Sequence, residues 1–343
     1  ALVLGGTGVI GRATAARLLA CGWSVRLVGR NPAHLPTNLA SAGATFVVAD
    51  ARRPDQLAEI ARQGGDMLVD CLCYTARDAE RLLPFLARFA SSVMISTKAV
   101  YADGAGNHVN SSGAPRFPVP IDEAQPTLTP GDGNYTTPAG YGANKVAAEQ
   151  VLLESGAPVT VIRASKVHGP GGSRPREWVF VKRALDQRPA VFLAGRGAGV
   201  DHMTAAANLA ALIDLVAANP GRRVLNCADP DAPSAVEISR IIAHILGHER
   251  EEILLDEDCD PNLGRHPWEA PRPIVLDTSA ATRLGYIPVG DYAFTVEESV
   301  RWLAAQARFE DGAAALPGLD EEFFAPMLDY GAEDRYLAAR RPA

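Results

Sequence analysis

A tyrosine and a lysine stand four positions apart in the stretch "YGANK", at Tyr141 and Lys145. On a helix this spacing places both side chains on one face. A phenol can exchange a proton with a hydroxyl or carbonyl group, but free tyrosine titrates near pH ~10, too high for a base at neutral pH. A neighbouring ammonium group stabilises the phenolate and lowers that pKa. The pair therefore predicts general acid/base chemistry, if other elements bring it to a substrate.

The stretch "LVLGGTGVIG" at the start of the chain predicts a dinucleotide site. An apolar strand ends in a glycine-rich turn, and a helical pattern follows at once. Glycines allow the tight turn and a close approach of the backbone to a pyrophosphate, which binds the free N–H groups of the helix N-terminus. The order of strand, turn and helix is the context that this motif requires. The predicted cofactor contacts in the turn are Gly5, Thr7, Gly8, Val9, Ile10 and Gly11.

The end of the second predicted strand, "VRLVGRNP", bears on which cofactor binds. A site for NAD usually has an acidic residue here for the ribose 2′-hydroxyl, whereas this chain has Gly29 followed by Arg30. A guanidinium beside a small residue suits a 2′-phosphate, which prefers bidentate charged donors. The sequence therefore predicts NADP(H) in preference to NAD(H). NAD(H) stays open, because Arg30 could also be an ordinary surface arginine.

Short apolar runs alternate with helical patterns along the first two-thirds of the chain. Predicted strands cover 1–5, 24–29, 44–49, 66–72, 92–97, 157–163 and 223–227. Helical spacing between the first two strands is carried by Val9, Ala13, Ala16 and Ala20. It predicts a helix over 9–21 with these residues on one face. The alternation predicts an α/β fold, a doubly wound parallel Rossmann sheet of order 3-2-1-4-5-6-7 with a smaller mixed C-terminal substrate subdomain.

Breaks in this regularity set the predicted domain boundaries. Residues 102–140 form a long loop rich in proline and glycine, which in a compact domain is usually functional or disordered. A helix at 234–246 begins behind Ser234, with Glu237 three residues on as in a capping box. The predicted dinucleotide-binding domain covers 1–163 and 199–227, the substrate subdomain 164–198 and 228–305, and an appended segment of unknown role 306–343.

Composition excludes several classes of protein. The net charge is −7 and there is no long Lys/Arg tract, so we expect no nucleic-acid partner. No apolar run is long enough to cross a bilayer, and no signal peptide is visible, so we expect no membrane partner. Five cysteines without a repeated CxxC favour a reducing compartment and a cytoplasmic location. Cys71 and Cys73 are interpreted as small core residues on one strand face, and no metal site is predicted.

Five motifs together resemble the extended short-chain dehydrogenase/reductase family, which includes the nucleotide-sugar epimerases. They are "GGTGVIG" at 5–11, "VVADAR" at 47–52, "ISTKAVY" at 95–101, "YGANK" at 141–145 and "IRASKVHGPG" at 162–171. They occur in the order and rough spacing of the family, and the resemblance covers about residues 1–305.

The resemblance implies a role for each catalytic candidate. Tyr141 is the general acid/base, and Lys145 also holds the nicotinamide ribose. Thr97 hydrogen-bonds the reacting oxygen, although a strand-end role stays open. Asp50 lies at the adenine edge, with Ala51 beside it among the cofactor contacts, although Asp50 could instead cap the following turn.

Departures from the family pattern narrow the substrate. The family's 4,6-dehydratases carry Thr-Asp-Glu where this chain has "TKA" at 97–99, so dehydration by that route is not expected. Lys166 stands three positions after Arg163, where many nucleotide-sugar enzymes have an asparagine at the sugar diphosphate. Asp201 stands in the place of their phosphate-binding arginine. Both differences weaken an assignment to UDP-sugars.

Five further residues are weaker candidates. Lys166 and Arg196 either meet an anionic substrate or are solvated surface charges. Trp178 and His202 are candidates for the substrate cleft, and His168 is interpreted as structural.

The leading functional prediction is an NADP(H)-dependent oxidoreductase that reduces a ketone, or oxidises a secondary alcohol, on a small polar metabolite. One alternative is an NAD(P)-dependent sugar or nucleotide-sugar epimerase, which needs no net redox change. The other is a non-catalytic regulatory or RNA-associated protein on the same fold. The predicted partner is a small-molecule substrate. By analogy with the family, a homodimer would form through residues 76–90 and 141–154.

Overall fold

A computed structural model of the chain describes residues 1–256, 260, 262–310 and 312–340. The protein divides into two compact units. The first unit comprises Ala1–Val167, Met203–Pro230 and Ile274–Val289, and the second comprises His168–His202, Asp231–Pro273 and the residues from Gly290 on.

The described chain alternates strands and helices. The strands are β1 (Leu2–Leu4), β2 (Arg26–Gly29), β3 (Thr45–Val48), β4 (Gly65–Asp70), β5 (Phe89–Thr97), β6 (Val159–Ala164), β7 (Lys166–His168), β8 (Ala190–Leu193), β9 (Met203–Ala205), β10 (Arg223–Cys227), β11 (Glu251–Leu254), β12 (Arg308–Glu310) and β13 (Ala313–Ala315). The helices are α1 (Val9–Ala20), α2 (Thr37–Ser41), α3 (Pro54–Ala61), α4 (Ala76–Leu86), α5 (Pro138–Glu154), α6 (Trp178–Leu185), α7 (Ala206–Ala218), α8 (Ala235–Leu246), α9 (Ser279–Arg283), α10 (Tyr292–Gln306), α11 (Glu321–Phe324) and α12 (Tyr330–Arg340).

Seven parallel strands form the central sheet of the first unit. Their order is β3-β2-β1-β4-β5-β6-β10, and every neighbouring pair is parallel. Leu2 of β1 pairs with Arg26 on one side and Leu68 on the other, so the strand order reverses at β1. This confirms the predicted fold class and order, and it puts the glycine turn at the switch point where doubly wound sheets bind ligands.

Both faces of this sheet are covered by helices. Because successive strand side chains point to opposite faces, Val3 packs in one apolar cluster and Leu4 in the other. Val3 shares its cluster with Leu18 of α1 and Ile213 of α7, whereas Leu4 lies with residues of α3, α4 and α5 such as Leu82. Strands buried on both faces are apolar throughout, which is why the sequence shows continuous apolar runs.

Helix α1 confirms the predicted helix but not its predicted face. Ala16 and Ala20 are exposed, whereas Thr14, Ala15 and Leu18 are buried. Alanine is small enough to be tolerated on either side of a helix, so its spacing carries little information. Thr14 is a polar residue type and so does not contribute to a hydrophobic pattern, although its side chain is fully buried.

The long loop ends three residues earlier than predicted. α5 begins at Pro138, because Thr137 caps it by accepting a hydrogen bond from Gly140 N at 3.1 Å. Proline at the first helical position has a pre-set φ and lacks an N–H group that would otherwise be unsatisfied. Tyr141 therefore lies in the first turn of a 17-residue helix.

The second unit has its own small core. β8 and β11 pair in parallel, and their apolar side chains form one cluster with Leu263. α8 confirms the predicted helix and cap, since Ser234 N donates to Glu237 Oε2 at 2.7 Å. The residues after 308 lack a clear hydrophobic period, yet they form the β12–β13 hairpin, α11 and α12. Tyr336 of α12 packs edge-on against Phe192, at 5.3 Å between ring centres.

Buried polar contacts attach α12 to α6 within this unit. Arg183 donates to Glu333, and both side chains are almost completely buried. Tyr330 donates its hydroxyl proton to Asp186 at 2.8 Å, and the guanidinium of Arg188 lies 4.3 Å from the centre of the Tyr330 ring. Buried polar contacts thus hold α12 to the rest of the second unit.

Candidate active site

The glycine turn between β1 and α1 has the geometry that a close approach by a ligand requires. Gly5 has a φ of +80°, a conformation that favours glycine, and its carbonyl oxygen accepts a hydrogen bond from Gly8 N at 3.1 Å. A Cβ on Gly11 would lie 2.4 Å from that same carbonyl oxygen, so α1 packs directly on the turn. Gly8 is exposed. The remaining predicted contacts in the turn are half-buried: Thr7, Val9 and Ile10.

A second arginine, which the sequence pattern did not single out, lies beside this turn. Arg12 donates from Nε to the Thr7 carbonyl at 2.7 Å and from Nη2 to the His34 carbonyl at 3.1 Å. Burial lowers the pKa of its guanidinium. The sequence could have indicated this arginine through its position directly after Gly11, in the first turn of α1.

The residues at the end of β2 are a glycine and an arginine rather than an acid, as the sequence predicts. Gly29 is the last residue of β2, and a Cβ there would lie 2.9 Å from the ring of Phe46 and 3.4 Å from the side chain of Thr7. Arg30 follows as an exposed side chain. The strand end thus presents backbone and a guanidinium rather than a carboxylate.

Asp50 and Ala51 follow β3 in a tight turn. Asp50 accepts a hydrogen bond from Arg52 N at 3.0 Å through Oδ1, and its own N–H donates to Gln56 at 2.7 Å. Ala51 is buried in the apolar core. The carboxylate of Asp50 therefore caps the local turn, which is the alternative that the sequence left open. Contact of Asp50 or Ala51 with a cofactor stays a prediction.

Helix α5 carries Tyr141 and Lys145 to the carboxyl end of β5. Gly142 makes the contact possible, because a Cβ there would lie 2.3 Å from the carbonyl oxygen of Ala99. Thr97 is the last residue of β5, and its hydroxyl accepts a hydrogen bond from Ala99 N at 3.2 Å. The first turns of α5 thus pack on the segment that Thr97 begins. Tyr141 and Thr97 are both half-buried.

Lys145 is buried at the carboxyl ends of two neighbouring strands. Its Nζ donates to the carbonyl oxygens of Cys73 at 2.7 Å and Ile95 at 2.8 Å, and the residue is 3% exposed. Nζ also lies 4.4 Å from the centre of the Tyr74 ring. No carboxylate of the described chain lies within ion-pair distance of it, although its charge acts on the buried carboxyl of Asp70 and partly offsets the rise in pKa that burial causes in that group. An ammonium buried without a directly paired carboxylate is expensive, and such groups concentrate at functional sites.

A buried carboxylate one turn beyond Lys145 fixes α5 to the sheet. Glu149 accepts hydrogen bonds from Ser96 Oγ and from Arg163 Nη2, the latter at 2.6 Å. The guanidinium of Arg163 lies 4.9 Å from the centre of the Tyr101 ring, and burial raises the pKa of the Tyr101 phenol to about 12. These residues join α5 to β5 and β6. The signal in the sequence was an acid on the otherwise buried face of the helix.

The residues after β4 correct the interpretation of the two cysteines. The strand ends at Asp70, so Cys71 and Cys73 follow it rather than share a strand face. Burial raises the pKa of the Cys71 thiol to about 12, and the part of the chain that the structure describes holds no group of three or more side chains suited to a metal ion. Asp70 is buried, which raises its pKa to about 6, and it accepts a hydrogen bond from Leu72 N at 2.7 Å.

The weaker candidates have varied surroundings. Arg196 forms an exposed ion pair with Asp256 at 3.0 Å, as a solvated surface charge does. His168 is buried, with its ring centre 5.1 Å from that of Tyr292. Trp178 is fully buried and lines a cavity of about 430 Å³ within the second unit. His202 and Asp201 are buried and Lys166 is half-buried, and their contact with a substrate stays a prediction.

The parallel sheet with a glycine turn after its first strand defines a dinucleotide-binding protein of the Rossmann class. Residues 1–228 match the model of the NAD dependent epimerase/dehydratase family. The chain belongs to this family, in agreement with the resemblance that its motifs show to extended short-chain dehydrogenases/reductases. No helix in the described ranges has both the length and the apolar character to span a membrane.

Three solved structures of the same fold are of proteins that are named for a sugar nucleotide or were solved with one bound. The UDP-glucose 4-epimerase of Thermus thermophilus, in complex with NAD, is 18% identical; the match covers 88% of this chain and 97% of that one, with a TM-score of 0.63. The dTDP-glucose 4,6-dehydratase of Bacillus anthracis str. Ames, with NAD, is 17% identical over 95% and 98%, with a TM-score of 0.65. MoeE5, in complex with UDP-glucose and NAD, is 19% identical over 88% and 97%, with a TM-score of 0.63. No curated protein sequence matches the chain.

Proposed function

We propose that this protein is a nicotinamide-dependent epimerase acting on a hydroxyl-bearing carbon of a sugar or nucleotide sugar. One observation carries the proposal. The ammonium of Lys145 is buried between two strand ends, on the same helix as Tyr141, and Gly142 packs that helix on the segment that follows Thr97. A phenol, an ammonium and a hydroxyl carried by neighbouring elements at the carboxyl edge of a Rossmann sheet support a reaction centre there.

Each of the three side chains has a step in this reaction. The phenolate of Tyr141, stabilised by the ammonium of Lys145, removes the proton from the substrate hydroxyl and becomes a neutral phenol. Thr97 hydrogen-bonds the reacting oxygen while its carbon changes from tetrahedral to planar. Tyr141 then returns the proton to that oxygen. When bound, a nicotinamide supplies the hydride acceptor, and the same hydride goes back to the opposite face of the planar carbon.

The glycine turn fits the dinucleotide. Side chains at Gly5 and Gly11 would meet the backbone or neighbouring side chains, and the exposed Gly8, whose added Cβ would have only the Gly5 carbonyl oxygen at 3.6 Å as a neighbour, would let a pyrophosphate approach. The N–H groups of the first turn of α1 would bind its charge, as helix N-termini do. Lys145 would hold the nicotinamide ribose.

The epimerase reading replaces the ketone reductase as the leading candidate. Family membership and neighbours named as epimerases support it, whereas no observation favours net reduction of a ketone. The regulatory or RNA-associated alternative is weaker still, because it gives no reason to bury the ammonium of Lys145 at the strand ends.

For the cofactor, we keep NADP(H) as the proposal. Gly29 leaves no carboxylate to repel a 2′-phosphate, and the guanidinium of Arg30 is free to approach one. Dissociation constants for NADP(H) and NAD(H), measured by fluorescence, test this point. We expect NADP(H) to bind more tightly, and Arg30→Ala to remove most of the difference. Tighter binding of NAD(H), which the neighbours contain, would contradict it.

The experiment that tests the function has two parts. Mass spectrometry of protein purified without added cofactor should find a nicotinamide dinucleotide in near-stoichiometric amount, because an epimerase must retain its reduced cofactor between half-reactions. Incubation with a panel of sugars and nucleotide sugars, followed by NMR, should show interconversion of epimers without net consumption of NADPH. Steady NADPH consumption with ketones, and no epimers, would instead support the reductase.

A further inference from the structure

Tyr74 lies at the reaction centre but has no part in the mechanism described so far. It follows Cys73, whose carbonyl oxygen accepts a hydrogen bond from Lys145 Nζ. The centre of its ring is 4.4 Å from that same nitrogen, well inside the distance of about 6 Å at which a cation interacts with an aromatic face. The ring is also 6.4 Å from the ring of Tyr141. One aromatic side chain therefore adjoins both members of the catalytic pair.

The backbone and the neighbours of Tyr74 hold its ring in place. Its N–H donates to Asp78 Oδ2 at 3.1 Å, and Asp78 belongs to the capping box that begins α4. Tyr135 stacks on the ring at 5.3 Å between centres, with 23° between the ring planes. Arg52 approaches the ring to 5.7 Å. Burial raises the pKa of the Tyr74 phenol, so the ring stays neutral and its face keeps the negative quadrupole that attracts a cation.

The surroundings of Lys145 explain why such a ring matters. Two carbonyl oxygens accept hydrogen bonds from its ammonium, and the buried carboxyl of Asp70 interacts with it electrostatically without forming an ion pair in the described chain. A carboxylate paired directly with Nζ would neutralise the charge that the phenolate of Tyr141 needs. An aromatic face attracts the ammonium without carrying a formal charge, so it can hold Lys145 and leave that charge available.

Building on the proposed function, we propose that Tyr74 is a positioning residue of the active site, whose ring face holds the ammonium of Lys145 in place for proton transfer by Tyr141. The contribution comes from the ring and not from its hydroxyl. Phenylalanine should replace Tyr74 with little loss, whereas leucine, which keeps the apolar bulk but lacks an aromatic face, should not.

The first test needs no substrate and no cofactor. The chain has four lysines, so selective ¹³C labelling of lysine gives a spectrum in which Lys145 can be assigned from its loss in Lys145→Met. In the wild-type protein, ring current should move the ε-methylene signal of Lys145 upfield, and further than that of Lys182, whose Nζ lies 5.4 Å from the centre of the Tyr330 ring. Tyr74→Phe should keep this displacement. Tyr74→Leu should abolish the displacement and increase the mobility of the Lys145 side chain, as measured by NMR relaxation. Circular dichroism checks that the variant is folded.

The second test is kinetic. Tyr74→Leu should lower kcat about tenfold and change KM and the cofactor dissociation constant much less, because the ring acts on proton transfer. Tyr74→Phe should keep kcat within about twofold of the wild type. Equal loss in both variants, or a loss confined to KM, would overturn the inference.

The two tests also separate this inference from the function on which it rests. Wild-type protein without activity on any substrate would contradict the proposed function alone. The lysine spectra would still decide whether the ring holds Lys145, and an unchanged Lys145 signal in Tyr74→Leu would overturn the inference whatever the activity.

Discussion

Tyr141 carries the proton chemistry in the proposed reaction, so it gives the most direct test at the scale of single residues. Tyr141→Phe removes only the phenol oxygen from a half-buried ring. We expect turnover to fall by about 10² to 10⁴-fold, which is what general acid/base catalysis contributes. Cofactor binding should be almost unchanged, as measured by fluorescence titration. Full activity in this variant would remove the mechanism.

Asp70 predicts an unusual pH dependence of stability. Burial raises its pKa from 3.8 to about 6, so between these values the folded protein binds more protons than the unfolded chain. The free energy of unfolding should therefore fall as the pH rises through this window, by about 3 kcal/mol in total for this group. Below pH 4 the contribution is fully present, and above pH 6 it is lost.

The measurement is urea unfolding of wild-type protein and Asp70→Asn between pH 4 and 7. The variant should gain stability relative to the wild type across this range, because asparagine cannot ionise. Asp132→Asn, at an exposed position of the long loop, is the matched control and should follow the wild type. Parallel pH profiles for Asp70→Asn and the wild type would show that the buried carboxyl does not titrate here.

For the residues of the candidate site, the sequence predicted their types better than their contacts. Tyr141 and Lys145 stand out because their spacing is local and has a chemical meaning. Arg163 and Glu149 are 14 positions apart and meet only after β6 has joined the sheet, so no local pattern links them. Their hydrogen bonds depend on tertiary packing, which a single sequence does not display.

Helix α5 is the element on which the candidate site depends, and Gly142 is its closest contact. Alanine normally stabilises a helix relative to glycine by about 0.5–1 kcal/mol. At Gly142, however, the added Cβ would lie 2.3 Å from the Ala99 carbonyl oxygen. Gly142→Ala should therefore lower the free energy of unfolding by about 2 kcal/mol, as overpacking does, and should reduce kcat because α5 must move.

Urea unfolding and steady-state kinetics check this prediction. Gly331→Ala is the matched control, because it lies in helix α12 and its added Cβ would have no neighbour nearer than 3.4 Å. It should be neutral or slightly stabilising. Equal effects of the two substitutions would mean that the contact of α5 with Ala99 is not tight.

Elements were predictable where the hydrophobic pattern was strong. All seven strands of the central sheet follow from apolar runs, and their order is that of the doubly wound Rossmann arrangement that a glycine turn after the first strand indicates. The pattern failed where burial depends on small or polar residues. In α1, Thr14 faces the hydrophobic core. Helix α12 is attached through Arg183 and Glu333 rather than through an apolar stripe. Such contacts leave no period to detect.

At the scale of the whole chain, the residues after 308 should contribute to stability out of proportion to their hydrophobicity. Removing one partner of a buried ion pair leaves an uncompensated charge, at a penalty of about 3–5 kcal/mol. Glu333→Ala should therefore lower the free energy of unfolding by about this amount, since Arg183 is 4% exposed at its side chain. Thermal and urea unfolding measure the change.

Glu297→Ala provides the comparison within the same unit. Its partner Arg301 lies one turn away on α10, and both side chains are more than half exposed. Exposed pairs of this kind contribute about 0–1 kcal/mol, so the variant should unfold almost like the wild type. A similar small effect of Glu333→Ala would show that α12 does not depend on this pair.

The close approach of Gly29 to Phe46 limits how the cofactor preference of this protein can be redesigned. An aspartate or glutamate placed at the end of β2 to favour the dephosphorylated dinucleotide would push its first side-chain carbon into an aromatic ring 2.9 Å away. Exchange at that position would therefore require the ring of the half-buried Phe46, on the neighbouring strand β3, to shift. A smaller side chain in place of Phe46, introduced in the same step, would make room for the new carboxylate.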